Sequence, residues 1–235
     1  MDSGYANYLL QKVQTDYNQI AERFSKTRSK LWPELLFLKD YVKEKDRVLD
    51  VGCGNGRLYE LFKDKQIQYF GVDFAKRLIE IAKRKYSDWS DDTSIPTFLR
   101  INALNLPFES NFFDKIFSIS VFHHIPSTEK RILFLKEMKR VLKPEGELFL
   151  TVWNLWQKKY LPLILKYFFL KILGRTRLDF FDIFVPFEGV DRYYHCFRLK
   201  ELKKITEKAG FRVIELRYLK RNNKNYNIYL RAKKK

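Results

Sequence analysis

The chain has 235 residues, 46% of them hydrophobic and 31% charged, which fits one globular domain with a full core and excludes a disordered or low-complexity chain. Two cysteines are too few for a disulfide scaffold and point to a reducing compartment. The balance of 46 basic against 28 acidic residues, a net charge of +18, is more than a small neutral ligand requires and would attract a polyanion.

Residues 5–24 read as a helical N-terminal arm, and Trp32-Pro33 opens a second helix over 32–41. An apolar run, Val48-Leu49-Asp50-Val51, then breaks into Gly52, Gly54 and Gly56 at alternate positions. This predicts a buried parallel strand that turns through a glycine loop into a helix. Glycine serves where a backbone takes positive φ, or where a ligand passes too close for a Cβ. At the carboxyl end of a first strand, such a loop is where open α/β sheets bind nucleotides. The spacing is not the G-x-G-x-x-G of a pyrophosphate loop, and Arg57-Leu58 follows where a P-loop needs Lys-Ser/Thr.

A second strand over 68–73 ends in Asp73, seventeen residues after Gly56. An acid there either caps a helix over 75–85 or accepts hydrogen bonds from ribose hydroxyls, and its distance from the glycine loop favours the ribose. Asp88, Asp91 and Asp92 make a small acidic patch in a loop over 87–94. Residues 113–124 read as a strand that runs into His123-His124. The pair lacks a third ligand at zinc-like spacing; His123 either caps the next helix or bonds buried backbone, or it has a place in the substrate pocket. A helix over 133–142 leads through the turn 143–146 into a fifth strand over 146–153. An aromatic-rich insertion covers 155–197, a helix over 199–209 ends at Gly210, and strands over 212–219 and 226–232 form a hairpin with the last strand antiparallel. The expected organisation is a single unit, 1–235: an N-terminal arm (1–44), a core (45–154), an insertion or substrate lid (155–197), and a C-terminal helix with hairpin (198–235).

The first residues lack the basic-then-apolar order of a signal peptide. The longest apolar stretch, 161–173, carries two lysines and is too short to span a bilayer. No membrane span and a cytoplasmic location are the expectation. Basic residues gather in 136–143, 158–159, 175–177, 198–204 and the tail 217–235, which favours nucleic acid as partner over a merely lysine-rich composition.

Asp50 to Gly56 match D-x-G-x-G-x-G in full, which resembles motif I of the class I S-adenosylmethionine-dependent methyltransferases. That resemblance implies a Rossmann-like α/β fold: a seven-stranded, mostly parallel sheet with an antiparallel last strand and helices on both faces. It implies S-adenosylmethionine as cofactor, with Asp50, Gly52, Gly54 and Gly56 at its methionine part and Asp73 on the ribose. Asn102-Ala103-Leu104 through Phe108 resembles the motif that faces the adenine, with Asn102 where an acid is usual. An amide carbonyl accepts from the adenine amino group as a carboxylate does, and the N–H of Ala103 or Leu104 serves the ring nitrogen. Phe113 to His124 resembles the strand whose backbone near Ser118 approaches the methionine end.

Two flanks narrow the family. Tyr17 to Arg28, with Y-N-x-I-A-x-x-F-S-x-T-R, and Arg192 to Phe197, with R-Y-Y-H-x-F, look like the tRNA wobble-uridine methyltransferases that esterify a carboxymethyl group. The resemblance implies tRNA as partner and, from the eukaryotic relatives, a small zinc-binding activator protein. Arg28 is then assigned to the cofactor carboxylate by a charge-assisted bond, beside a plain surface role. Arg192, Tyr193 and His195 hold the acceptor carboxylate, aided by His123, beside the alternative of aromatic packing. A carboxymethyl group, with a pKa of roughly 4, is already ionised at neutral pH, so no general base is needed.

Two other readings stay open. A quinone- or phenol-type small-molecule methyltransferase would use the aromatic insertion as a lid and His123 or His195 as a general base. A non-catalytic RNA- or partner-binding protein of this fold would fail to bind the cofactor.

Overall fold

The computed structural model describes residues 1–87 and 95–235; the acidic patch at Asp88, Asp91 and Asp92 lies outside the described residues. β1 (Arg47–Val51) is buried on both sides from Val48 onward, as a central parallel strand must be, with Asp50 the one acid among its apolar residues. Around it lie β2 (Gln68–Asp73), β3 (Thr97–Arg100), β4 (Phe113–Ile119) and β5 (Leu142–Trp153), all parallel. β8 (Phe211–Arg221) and β9 (Lys224–Lys234) complete a seven-stranded sheet of order β3-β2-β1-β4-β5-β9-β8, with β9 antiparallel to both neighbours. This is the sheet that the sequence predicts. A separate antiparallel hairpin, β6 (Asp182–Phe187) and β7 (Val190–His195), stands in the insertion.

Side chains alternate across the sheet with the strand period of two. Ile116, Leu148 and Leu150 join a core with Phe134, Leu135 and Met138 of α4 (Thr128–Val141) and Leu202 and Ile205 of α6 (Leu199–Lys208). Phe117 and Phe149, stacked with centroids 4.8 Å apart, face the opposite core with Leu35, Leu38, Tyr59 and Ile79. Ile79 belongs to α3 (Lys76–Lys85), whose basic last turn suits the negative end of the helix dipole.

Several boundaries move. The second helix is a 3₁₀ segment, Pro33–Tyr41, and the glycine loop runs into a five-residue 3₁₀ turn, Arg57–Leu61, in place of a full helix. α4 starts at Thr128, five residues early, because Ser127 caps it by accepting from the Lys130 N–H. β5 already starts at Leu142; the expected turn survives as a register break between Phe113↔Leu142 and Lys115↔Glu147. The insertion adds α5 (Leu161–Ile172) ahead of its hairpin. Among the described residues no helix is long and apolar enough to cross a membrane.

The arm consists of α1 (Ser3–Gln19) and α2 (Ala21–Thr27). It is tied across the carboxyl edge of the sheet: Gln14 Nε2 donates to the Phe74 carbonyl (3.0 Å), and the Arg77 N–H donates to Asn18 Oδ1 (3.0 Å).

Candidate active site

A cleft opens beyond the carboxyl ends of β1, β2 and β4, where open α/β sheets hold their ligands. Its floor is the glycine loop and the turns after β2, β3 and β4; Tyr17, Phe24 and Arg28 of the arm roof it, and Trp32 and Trp153 also line it.

Gly52, Gly54 and Gly56 all take positive φ (74°, 57° and 74°), but for different neighbours. A Cβ on Gly52 would run into the side chain of Val121, and one on Gly56 would come within 2.7 Å of Phe98 Cζ. At Gly54 nothing lies nearer than Phe24 Cε1, at 3.6 Å. Gly54 is thus the position where a missing Cβ leaves room for a ligand. Asp73 locks the loop to β2: its Oδ2 accepts from the Gly54 N–H (2.9 Å) and its Oδ1 from the Ala75 N–H (2.8 Å). The carboxylate therefore braces the entry to α3 and keeps lone pairs for a further donor. Asp50, 2% exposed, accepts from the Tyr69 hydroxyl (2.7 Å). Burial pushes its carboxyl up to about 7 against the pull of that hydrogen bond.

Beyond β3, Asn102 Oδ1 accepts from the Leu104 N–H (3.0 Å). The Leu104 donor is spent inside this turn, which leaves Ala103 as the backbone donor of the pair. Ser118 does not line the cleft: it is fully buried inside β4, and the strand's cleft-facing end comes later, at Ile119, Ser120 and Val121. The Arg28 carbonyl accepts from Asn55 Nδ2 (3.2 Å), tying arm to loop, and its guanidinium lies 4.7 Å from the Phe24 ring and 5.0 Å from Phe187. Arg57, which the sequence reading did not assign, rests on Trp32 at 4.7 Å with Nη1 buried and unpartnered. Burial, then the charge of Arg28, lowers its pKa to about 10.

His123 and His124 are buried and neutral. His123 Nδ1 accepts from the Trp153 N–H (3.1 Å), which puts the proton on Nε2, and that nitrogen has no partner. Burial, with His124 and Arg192 adding to it, holds its pKa well below the usual range. His123 thus bonds buried backbone and also lines the cleft. His124 Nδ1 donates to the Tyr193 carbonyl (2.7 Å), and its Nε2 accepts from the Tyr17 hydroxyl (2.8 Å); burial lowers its pKa to about 3.

β7 divides its residues between its two sides. Arg192, 3% exposed, lies 4.3 Å from the Phe187 ring, 5.3 Å from Tyr194 and 5.7 Å from Trp153, with Nε and Nη1 unpartnered. Tyr194 stacks on His123 (5.1 Å) and Trp153 (5.3 Å), and its hydroxyl too is buried and unpartnered. Tyr193 and His195 point the other way, and the expected contact of either with an acceptor is corrected. The Tyr193 hydroxyl accepts from Arg131 Nη2 (3.1 Å), while His195 lies between Asp182 Oδ1 (2.6 Å) and Glu201 Oε1 (2.7 Å). The strand period of two sets this division, and applied to R-Y-Y-H it would have paired Arg192 with Tyr194.

This sheet order, with a cleft at the glycine loop and room for a ligand at Gly54, is the architecture of the class I methyltransferases. Residues 49–150 match the family described as Methyltransferase domain. The tRNA (carboxymethyluridine(34)-5-O)-methyltransferase of Schizosaccharomyces pombe is 30% identical over 234 residues, covering 93% of this chain and 95% of its own. The chain belongs to the class I methyltransferase family. It spans about a third of the length of the first curated relatives it matches. Two solved structures share the fold: a S-adenosylmethionine-dependent methyltransferase from Methanosarcina mazei (TM-score 0.71, 22% identity, 87% of this chain and 98% of that one), and the complex between the Trm112 methyltransferase activator and a putative methyltransferase of Haloferax volcanii (0.63, 18%, 94% and 96%).

Proposed function

We propose that the chain methylates the carboxymethyl group of a wobble uridine in tRNA, forming the methyl ester. The observation that carries this reading is the group of buried donors without partners beside the cleft: Arg192 Nε and Nη1, His123 Nε2 and the Tyr194 hydroxyl. Buried donors are rarely left unpaired, and a planar carboxylate is the acceptor that suits a guanidinium fork.

S-adenosylmethionine supplies, when bound, a methyl group on a positively charged sulfur. The residues present fit it: Gly54 leaves the space, Asp73 keeps lone pairs for the ribose, Ala103 offers its N–H to the adenine, and Arg28 is the cation for the amino-acid carboxylate. On the acceptor side, Arg192, Tyr194 and His123 orient the carboxylate so that one oxygen faces the methyl in line. Alignment of this kind is worth several kcal/mol of barrier. Transfer converts an anion and a cation into two uncharged groups, which a water-poor cleft favours. No proton moves, so the chain needs no base. A phenol acceptor would need one, and the proton on His123 Nε2 argues against His123 in that role.

The partners on this reading are tRNA and a small zinc-binding activator, supported by the fold shared with the Haloferax volcanii complex. A cytoplasmic setting is supported by two buried, free cysteines. Mass spectrometry of tRNA nucleosides from cells lacking the gene tests the proposal: the carboxymethyl nucleoside should accumulate and its methyl ester disappear. Unchanged nucleosides would overturn it.

A further inference from the structure

The sequence gathers its last basic cluster between residues 217 and 235, but the fold splits that cluster between opposite ends of the sheet. β9 runs antiparallel to β5, with Trp153 opposite Asn227 and Glu147 opposite Lys233. Trp153 lines the cleft. Six residues at about 3.3 Å each put Lys233 roughly 20 Å further away. At that far end the tail is already engaged: Lys233 pairs with Glu145 (3.4 Å), Arg231 lies 3.7 Å from Glu147, and Lys234 donates to the Leu142 carbonyl (2.6 Å).

The turn between β8 and β9 lies at the other end. Lys220, Arg221 and Lys224 surround Asn222 and Asn223, which take positive φ (48° and 58°) as a tight two-residue hairpin turn requires. No acidic residue interrupts the tip. The base of the turn is fixed to the cleft rim, since Asn154 Nδ2 donates to the Asn225 carbonyl (2.8 Å) and the Asn154 N–H to the Tyr226 carbonyl (2.9 Å). Arg221 lies 5.5 Å from the ring of Trp32, a cleft residue, and Arg57 lies 4.7 Å from the same ring. Lys220 and Lys224 are exposed and make no ion pair among the described residues; the same holds for Lys26 and Lys30, in the segment leading to Trp32.

We infer that the β8–β9 tip is the surface that grips the RNA backbone next to the methylated nucleotide, with Lys26 and Lys30 contributing from the other side of Trp32. The inference rests on the tRNA reading. An enzyme that acts on one base draws that nucleotide into its cleft, and the adjoining phosphates must then cross the rim. Lysines held on a rigid turn supply the backbone contacts that position RNA without reading its sequence.

The test compares two double variants with the same change in charge. Lys220→Glu with Lys224→Glu alters the tip; Lys208→Glu with Arg212→Glu alters exposed residues at the end of α6 and the start of β8, at the far end of the sheet. With carboxymethyl-bearing tRNA and bound S-adenosylmethionine, the tip variant should raise KM about tenfold at moderate salt. It should also flatten the log–log salt dependence of tRNA binding by roughly 1.4, two contacts at about 0.7 each. The far-end variant should change KM less than threefold, and cofactor affinity should stay level in both. Equal losses in the two variants, or no loss at the tip, would overturn the inference while leaving the activity intact. If the unaltered protein transfers no methyl group to tRNA, the functional reading fails, and this inference fails with it.

Discussion

The two halves of the cleft are built differently. Around the glycine loop, backbone and loops do the work, and the carboxylates and amide have partners: Asp73 bonds the Gly54 and Ala75 N–H groups, Asn102 bonds Leu104, and Asp50 bonds Tyr69. Beside the other half, the β7 side chains Arg192 and Tyr194 pack on Trp153 and, for Tyr194, on His123 of the cleft lining, and several buried donors there have no hydrogen-bond partner. The first half is a finished scaffold into which a ligand is laid. On the proposed reading the second receives the acceptor carboxylate, and burying a guanidinium without such a partner is costly. Changes on the acceptor side should therefore cut turnover more than stability, and changes on the cofactor side should show first in binding.

The largest expected effect is at Arg192. Arg192→Ala should lower kcat/KM for tRNA by about 10²–10³, the loss of a charge-assisted, bidentate contact, and leave the cofactor Kd within about twofold. Arg192→Lys keeps the charge without the fork and should recover only part of the rate. A cofactor Kd that weakens in step with the rate would move Arg192 to the other half.

The glycine loop gives the second contrast. Gly54→Val should weaken S-adenosylmethionine at least about 100-fold by calorimetry, because its side chain would enter open cleft. Gly52→Ala should act on the fold instead, since Val121 occupies that space, and lower Tm by several degrees with overpacking of about 1–3 kcal/mol. Comparable cofactor loss in a stable Gly52→Ala protein would erase the distinction between the two glycines.

These contrasts also mark what the sequence made legible. Motif I and the mostly parallel sheet with its antiparallel last strand were readable because a strand–glycine–acid pattern dictates backbone, and backbone builds the glycine-loop half of the cleft. The acceptor half was readable only as a segment. R-Y-Y-H announced a functional stretch, but which of its residues pack toward Trp153 of the cleft lining depends on strand phase, which is set by the tertiary pairing of β7 with β6. Tyr193 and His195 were assigned to the wrong side for that reason, and Tyr194 went unassigned. Arg57 was invisible as a cleft residue because its place depends on Trp32, twenty-five residues earlier. Where the basic tail lies was likewise a matter of topology: an antiparallel last strand carries its end away from the cleft.

The two sides of β7 offer a smaller test. Tyr193→Phe removes one hydrogen bond from Arg131 and should cost about 1 kcal/mol of stability, read by denaturant melts, with activity near that of the unaltered protein. Tyr194→Phe removes a hydroxyl that has no partner in the fold, so stability should hold and kcat/KM for tRNA should fall about tenfold. The reverse pattern would put Tyr193 at the acceptor.

The smallest effect expected on turnover is that of pH, and it separates rate from stability. With the acceptor carboxylate ionised and both cleft histidines neutral, kcat/KM should be nearly flat from about pH 6.5 to about 8.5. A rise across the histidine range would restore the general-base reading and a phenolic acceptor. Stability behaves otherwise. His123 and His124 have folded pKa values depressed by burial, to about 3 for His124. The unfolded chain therefore binds more protons than the folded one below about pH 6.5, and stability falls as pH drops through that window. Asp50 has the opposite sign. Its folded pKa is raised to about 7, so between about pH 4 and 7 the folded chain holds the extra proton, and the contribution of Asp50 to stability falls as pH rises. Asp50→Asn keeps a partner for the Tyr69 hydroxyl and removes the titration. Its Tm relative to the unaltered protein should therefore climb from pH 5 to pH 8, by a few degrees for each 1 kcal/mol of relief. A Tm difference that stays constant with pH would show that Asp50 is already ionised in the folded protein at pH 5.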